Sequence, residues 1–201
     1  MTPNETWKLT GGTAHVYIAG DRTGLTRPFI LLAPTKPSPT DLAAFDAGLG
    51  SFHTELLKHG GDLILVGYDD GAAPLAGLAD VAVNAVRRSI HQRLGSSPLI
   101  VGGIGRGALI ARYALERMEM ERFNHETAVY FSYNGTPPAP NEVPAGGLSG
   151  PQQPRQLKLV SADFTNKLSD DDFDEVKDGA ANPGGSLITQ ELGQWLMDRL
   201  R

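Results

Sequence analysis

Short continuous apolar runs alternate along this chain with stretches of helical spacing. Pro28 to Ala33 (PFILLA), Asp62 to Gly67 (DLILVG) and Pro98 to Gly103 (PLIVGG) are such runs, the pattern of strands buried on both faces. Residues 13–19 alternate weakly and predict a first strand closed by Gly20-Asp21. Thr127–Tyr133 and Gln156–Val160 complete the set of predicted strands. Between them, apolar spacing through Leu42, Phe45 and Leu49, and again through Phe52, Leu56 and Leu57, predicts helix, with Thr40 or Asp41 as its cap. Residues 75–94 place Leu78, Val81, Ala82, Ala85, Val86 and Ile90 on one stripe of a long amphipathic helix. Further helices are predicted from Ala108 to about Arg122 and from about Ser186 to Leu200.

Strands alternating with helices predict a doubly wound, mainly parallel sheet covered on both faces, with no large cap domain. The whole chain, 1–201, reads as one α/β domain. Two segments depart from this rhythm. Residues 134–154 are dense in Gly and Pro and predict a long loop or flap. Ser169 to Gly185 is acidic early and glycine-rich late, which predicts a solvated surface segment; its oxygen spacing does not match an EF-hand loop.

Composition narrows the function classes. A formal net charge of −5 argues against nucleic-acid binding, which rests on clustered Lys and Arg. The chain has no cysteine, hence neither disulfides nor thiolate metal sites. The start lacks the basic and apolar regions of a secretory signal, and no stretch approaches the roughly 20 apolar residues of a membrane helix. These absences predict a cytoplasmic protein that binds neither membrane nor nucleic acid. No histidine–carboxylate cluster has metal-ligand spacing, and no cofactor is called for. Oligomeric state is left open.

The chemistry is concentrated in residues 99–119, LIVGGIGRGALIARYALERME. A buried strand, a tight turn and a helix that starts with small residues make the layout of a nucleophile elbow. Here the chain resembles bacterial α/β-hydrolases of the lipase and esterase kind, whose elbow reads G-x-S-x-G before a helix much like GLIARYALERME. Tyr130 to Pro138 (YFSYNGTPP) is likewise similar to a family segment reading FSYDSPH, with Asn134 in the place of its aspartate and a proline in the place of its histidine. The resemblance covers roughly residues 14–140 and fades beyond. It implies that Gly103-Ile104-Gly105-Arg106-Gly107 is the elbow and that Gly105 stands at the nucleophile position.

A serine hydrolase needs a base to activate its hydroxyl, and in this family the order is nucleophile, acid, histidine. The five histidines are His15, His53, His59, His91 and His125, so none follows residue 125. Asp163 stands after the strand 156–160 as an acid or as a turn aspartate. The machinery of ester hydrolysis is therefore expected to be missing. A dinucleotide site is a competing interpretation of Gly103-x-Gly105-x-x-Ala108, but it wants an acid ending the next strand, where Tyr133-Asn134 stand.

What remains is a helix start whose amides attract anions. Expected ligand contacts are Thr35, Lys36, Asp69, Gly105, Arg106, Tyr133 and Asn134, with Asp70 and Arg106 as candidate catalytic groups. Arg106 either meets an anion or points to solvent, and Asp69 or Asp70 either acts as a base or caps the helix that follows. Trp7 and Trp195 are expected to be core or terminal-helix anchors, not cofactor contacts. Two functions stay open: a cyclase, isomerase or lyase acting on an anionic or enolisable metabolite through the oxyanion site, and a non-catalytic ligand-binding or partner protein.

Overall fold

In the computed structural model, residues 1–142, 148, 150, 153–182 and 184–200 are described. Among them the strands are β1 (Glu5–Leu9), β2 (Gly12–Tyr17), β3 (Pro28–Leu32), β4 (Asp62–Tyr68), β5 (Leu99–Ile104), β6 (Thr127–Tyr133), β7 (Arg155–Ser161) and β8 (Glu175–Gly179). They form one sheet in the order β1-β2-β4-β3-β5-β6-β7-β8. β1 and β2 join antiparallel, and every other pairing from β4 onward is parallel.

The helices are α1 (Leu42–Gly48), α2 (Ser51–Lys58), α3 (Leu75–Gln92), α4 (Arg106–Met120) and α5 (Gln190–Asp198). α3 packs on α4, and α2 packs on α5. Successive β–helix–β units that share one crossover hand put helices on opposite faces once the direction of winding reverses. That reversal falls at β3, with β4 on one side and β5 on the other.

Local chemistry explains the elements. β3 and β4 are buried at every position, as two covered faces require. Asp41 caps α1 by accepting from the Ala43 and Ala44 N–H groups at 3.0 Å each. Gly50, at φ 59°, separates α1 from α2 within the stretch whose spacing reads as one interrupted helix. At the foot of β4 the fully buried Asp62 accepts from the N–H groups of Ala19, Thr26 and Arg27 and from the Arg22 guanidinium. This carboxylate ties the connection into β3 to the sheet.

Several boundaries differ from the sequence expectation. β1 and β8 were not predicted, because Trp7 is the lone fully buried residue of β1 and β8 has none. α4 starts two residues earlier, at Arg106, and the last helix is confined to Gln190–Asp198 behind a Thr189 cap. The acidic segment is not merely solvated. Asp170 pairs with the buried Lys158, Asp172 with the buried Arg112, and Glu175 with Arg155 and Arg199. Buried cations need such partners. Trp7 is buried, with the Arg88 guanidinium 4.7 Å from its ring centre. No helix among the described residues is long and apolar enough to cross a membrane.

Candidate functional site

Open parallel sheets bind ligands beyond the carboxyl ends of the strands, at the point where winding reverses. That edge gathers Thr35 and Lys36 after β3, Asp69 and Asp70 after β4, Gly105 and Arg106 after β5, and Tyr133 and Asn134 at the end of β6. All the residues singled out from sequence thus share one edge.

Gly105 is the pivot between β5 and α4. Its backbone sits at φ 58°, ψ −126°, and its N–H donates to the Tyr133 carbonyl at 2.9 Å. This left-handed turn is strained for any residue bearing a Cβ. The glycines on either side have a different reason. A Cβ at Gly103 would stand 2.3 Å from the Gly107 carbonyl carbon, and one at Gly107 would stand 2.5 Å from the carbonyl oxygens of Leu32 and Ala33. Backbone meets backbone there. At Gly105 the nearest neighbour of such a Cβ is the Pro34 Cβ at 3.8 Å, so space for a side chain exists. The N–H groups of Arg106 and Gly107 lie in the first turn of α4, where helix geometry supplies no acceptor.

Not every expected residue faces a ligand. Tyr133 is fully buried, and its hydroxyl accepts from the Thr189 N–H at 3.0 Å. Burial pushes its phenol above the ordinary value. Asn134, at φ 47°, donates to the Ser161 hydroxyl at 2.8 Å and accepts from the Ser161 N–H at 2.9 Å. Both side chains therefore serve the β6–β7 edge and the approach to α5, instead of closing the wall of a site. Asp69 and Asp70 are exposed, and Asp70 accepts from the Ala72 N–H at 2.9 Å within its own turn. The residue at the cap of α3 is Pro74, so neither aspartate caps that helix. Their turn is pressed onto the loop after β3: a Cβ at Gly71 would stand 2.2 Å from the Lys36 carbonyl oxygen. Thr35 is half-buried and Lys36 exposed.

Arg106 points neither to solvent nor to an empty site. Its guanidinium meets both carboxylate oxygens of Glu142, with Nη1 donating to Oε2 at 3.1 Å and Nη2 donating to Oε1. Glu142 Oε2 also accepts from the Ala139 N–H at 2.8 Å, and the Glu142 N–H donates back to the Ala139 carbonyl at 2.9 Å. Arg106 holds the Glu142 carboxyl below the usual glutamate range. Sequence analysis passed over Glu142, although a signal was there: it is the one charged residue in the 134–154 stretch. Residues 143–147, 149, 151 and 152 of that stretch lie outside the described residues. Tyr68, the last residue of β4, was also missed. Its hydroxyl is buried without a hydrogen-bond partner among the described residues. Burial pushes the phenol far above its ordinary value, and the charge of Arg106 acts on it in the opposite direction.

On the α1 face, reached from Gly105 across its neighbour Pro34, lies a cavity of about 380 Å³ that Gly105 and Arg106 do not line. It is walled by Ala33 and Pro34 after β3, Ala44 and Phe45 of α1, and Leu187 before α5, with Lys36 at its margin. Its size falls in the range of small-molecule pockets, and a few polar groups among apolar walls fit that use.

No protein-family model matches the sequence, and no curated protein matches it. Solved structures do. An esterase/lipase from an uncultured bacterium superimposes with TM-score 0.67 at 12% identity, over 98% of this chain and 84% of that one. A lidless α/β serine hydrolase from Xanthomonas campestris gives TM-score 0.63 at 13% identity, over 100% of this chain and 93% of that one. A bifunctional GH43-CE protein of Bacteroides eggerthii gives 0.65 at 11% identity over 99% of this chain, which spans 37% of that protein's length. The chain has the α/β-hydrolase fold. The likeness runs over the full chain, not only over 14–140, since backbone geometry persists where side chains have changed.

In an α/β-hydrolase the acid and the histidine follow the nucleophile along the chain. Here the connections that follow β6, β7 and β8 leave the carboxyl edge at Tyr133, Ser161 and Gly179. None contains a histidine. His125 lies at the opposite edge, before β6, buried and 3.3 Å from Glu119. Asp163 follows β7 and is exposed.

Proposed function

We propose that this α/β-hydrolase-fold protein does not hydrolyse acyl esters and instead binds a small-molecule metabolite beside its elbow. The observation that carries this reading is Gly105 at the elbow, with no histidine along the chain after His125, which lies at the opposite edge. Without a nucleophile and base, acyl transfer has neither attack nor proton relay. The cavity between the loop after β3, α1 and the approach to α5 supports the choice of a small molecule. Against a partner-protein role stands the surface: the exposed large apolar side chains among the described residues are Met1, Leu94 and Met120, one at the chain start and two at helix ends. They do not make the contiguous patch that protein interfaces use.

Binding without turnover is favoured over catalysis, because Asp70 caps its own turn and Arg106 is already neutralised by Glu142. One feature favours the second reading, a cyclase, isomerase or lyase. The first-turn amides of Arg106 and Gly107 stand where an oxyanion would be stabilised. A metabolite-binding screen by calorimetry decides between them, followed by product analysis on each ligand found. Ala44→Trp, which fills the cavity from α1, should abolish binding while the denaturant midpoint stays within about 1 kcal/mol of wild type. Unchanged affinity in Ala44→Trp would place the ligand elsewhere and overturn the reading.

A further inference from the structure

The Arg106–Glu142 pair is bidentate, and that is how a guanidinium recognises any carboxylate. Its carboxylate comes from a turn, 139–142, whose own closure depends on the same Glu142 atoms. Beneath lies a second polar group. A Cβ at Gly67 would face Thr40 and Leu42 on the α1 side of the sheet, so alternation turns Tyr68 to the α4 side. There its hydroxyl is within electrostatic reach of Arg106. Buried hydroxyls normally find a partner, and this one has none among the described residues. Among the described residues the Arg106 guanidinium meets one carboxylate, that of Glu142, and the Tyr68 hydroxyl meets no acceptor.

We propose that Arg106 heads a carboxylate-binding subsite at the elbow, and that Glu142 occupies it as an intramolecular ligand that a small monocarboxylate displaces. This rests on the reading that the elbow edge holds a small molecule, and it names the chemical class: an acid whose carboxylate meets Arg106 and whose apolar body extends past Pro34, the residue that both neighbours Gly105 and lines the cavity. The 139–142 turn is then a latch, and affinity for such acids is set by competition with Glu142. Neutral ligands of the same shape gain nothing from opening it.

Benzoate is the probe, titrated into the full chain while the amide signals of Arg106 and Gly107 are followed by NMR. Glu142→Gln should bind benzoate about tenfold or more tightly than wild type, the scale of one charge-assisted hydrogen bond. Glu142→Gln with Arg106→Gln should lose that gain, and benzamide should bind both backgrounds alike. Glu142→Asp keeps the charge with a shorter reach and should show a several-fold gain, which preserves the test if the glutamine variant folds poorly. Equal benzoate affinity in wild type and both Glu142 variants overturns the latch, as does a gain that survives loss of Arg106. The cavity is judged separately, by adding Ala44→Trp to Glu142→Gln. If benzoate still shifts Arg106 and Gly107 undiminished, the cavity reading fails while the latch stands.

Discussion

At Gly105 and its two neighbouring glycines, one residue type answers two different demands. Gly105 needs a positive φ but has room for a side chain, whereas Gly103 and Gly107 have ordinary φ but no room at all. The costs of alanine should differ accordingly. Gly105→Ala should lower stability by about 1–3 kcal/mol, the strain of a left-handed non-glycine residue. Gly107→Ala drives a methyl group into two backbone carbonyls that cannot swing aside, and it should cost more than Gly105→Ala. Denaturant midpoints of the two variants check the order; the reverse order would mean that the turn is not built as an elbow. The G-x-x-x-G spacing made this turn legible in the sequence, since a strand and a helix on either side leave few alternatives. The pairing of Arg106 was not legible. Its partner is 36 residues away in a segment without periodicity, and nothing local to either residue specifies the other.

At the level of elements, the carboxyl edge is made of connections held by polar contacts and close backbone packing. Asn134 clasps Ser161, Gly71 is packed on Lys36, and Glu142 holds Arg106. The last of these titrates. Because Arg106 depresses the Glu142 carboxyl, the stability it contributes is complete above the ordinary glutamate value of about 4.3 and is lost as pH falls through the lowered value. The difference in denaturant midpoint between wild type and Glu142→Gln should therefore be constant above about pH 6 and shrink toward zero below about pH 4. A difference that persists unchanged to pH 3 would show that the pair does not form in solution. The strands of this edge were visible because β3, β4 and β5 are apolar runs buried on both faces. β1 and β8 escaped because edge strands need no such pattern. The acidic segment lies exposed as its composition predicts, but charge density alone does not reveal that Lys158 and Arg112 lie beneath it.

For the molecule as a whole, a sheet with one reversal of winding brings every segment that reaches the carboxyl edge into a single short inventory. The fold class was readable because it follows from the alternation of strand and helix, which the chain keeps from β3 to β6. The proposed loss of the triad rests on something read directly from the sequence, that no histidine follows residue 125. Which residues line the cavity was not readable, because Phe45, Pro34 and Leu187 meet only through the packing of α1 and the approach to α5. The account stands or falls on hydrolysis. Wild-type protein, freed of contaminating esterases, is assayed against p-nitrophenyl acetate and butyrate over a range of substrate concentrations, alongside Gly105→Ser. Rates for both should follow the uncatalysed background without saturation, and a serine-directed phosphonate should label neither. Saturable turnover by the wild type would contradict the central claim, because it would require a nucleophile other than residue 105 and a base other than a histidine that follows the elbow.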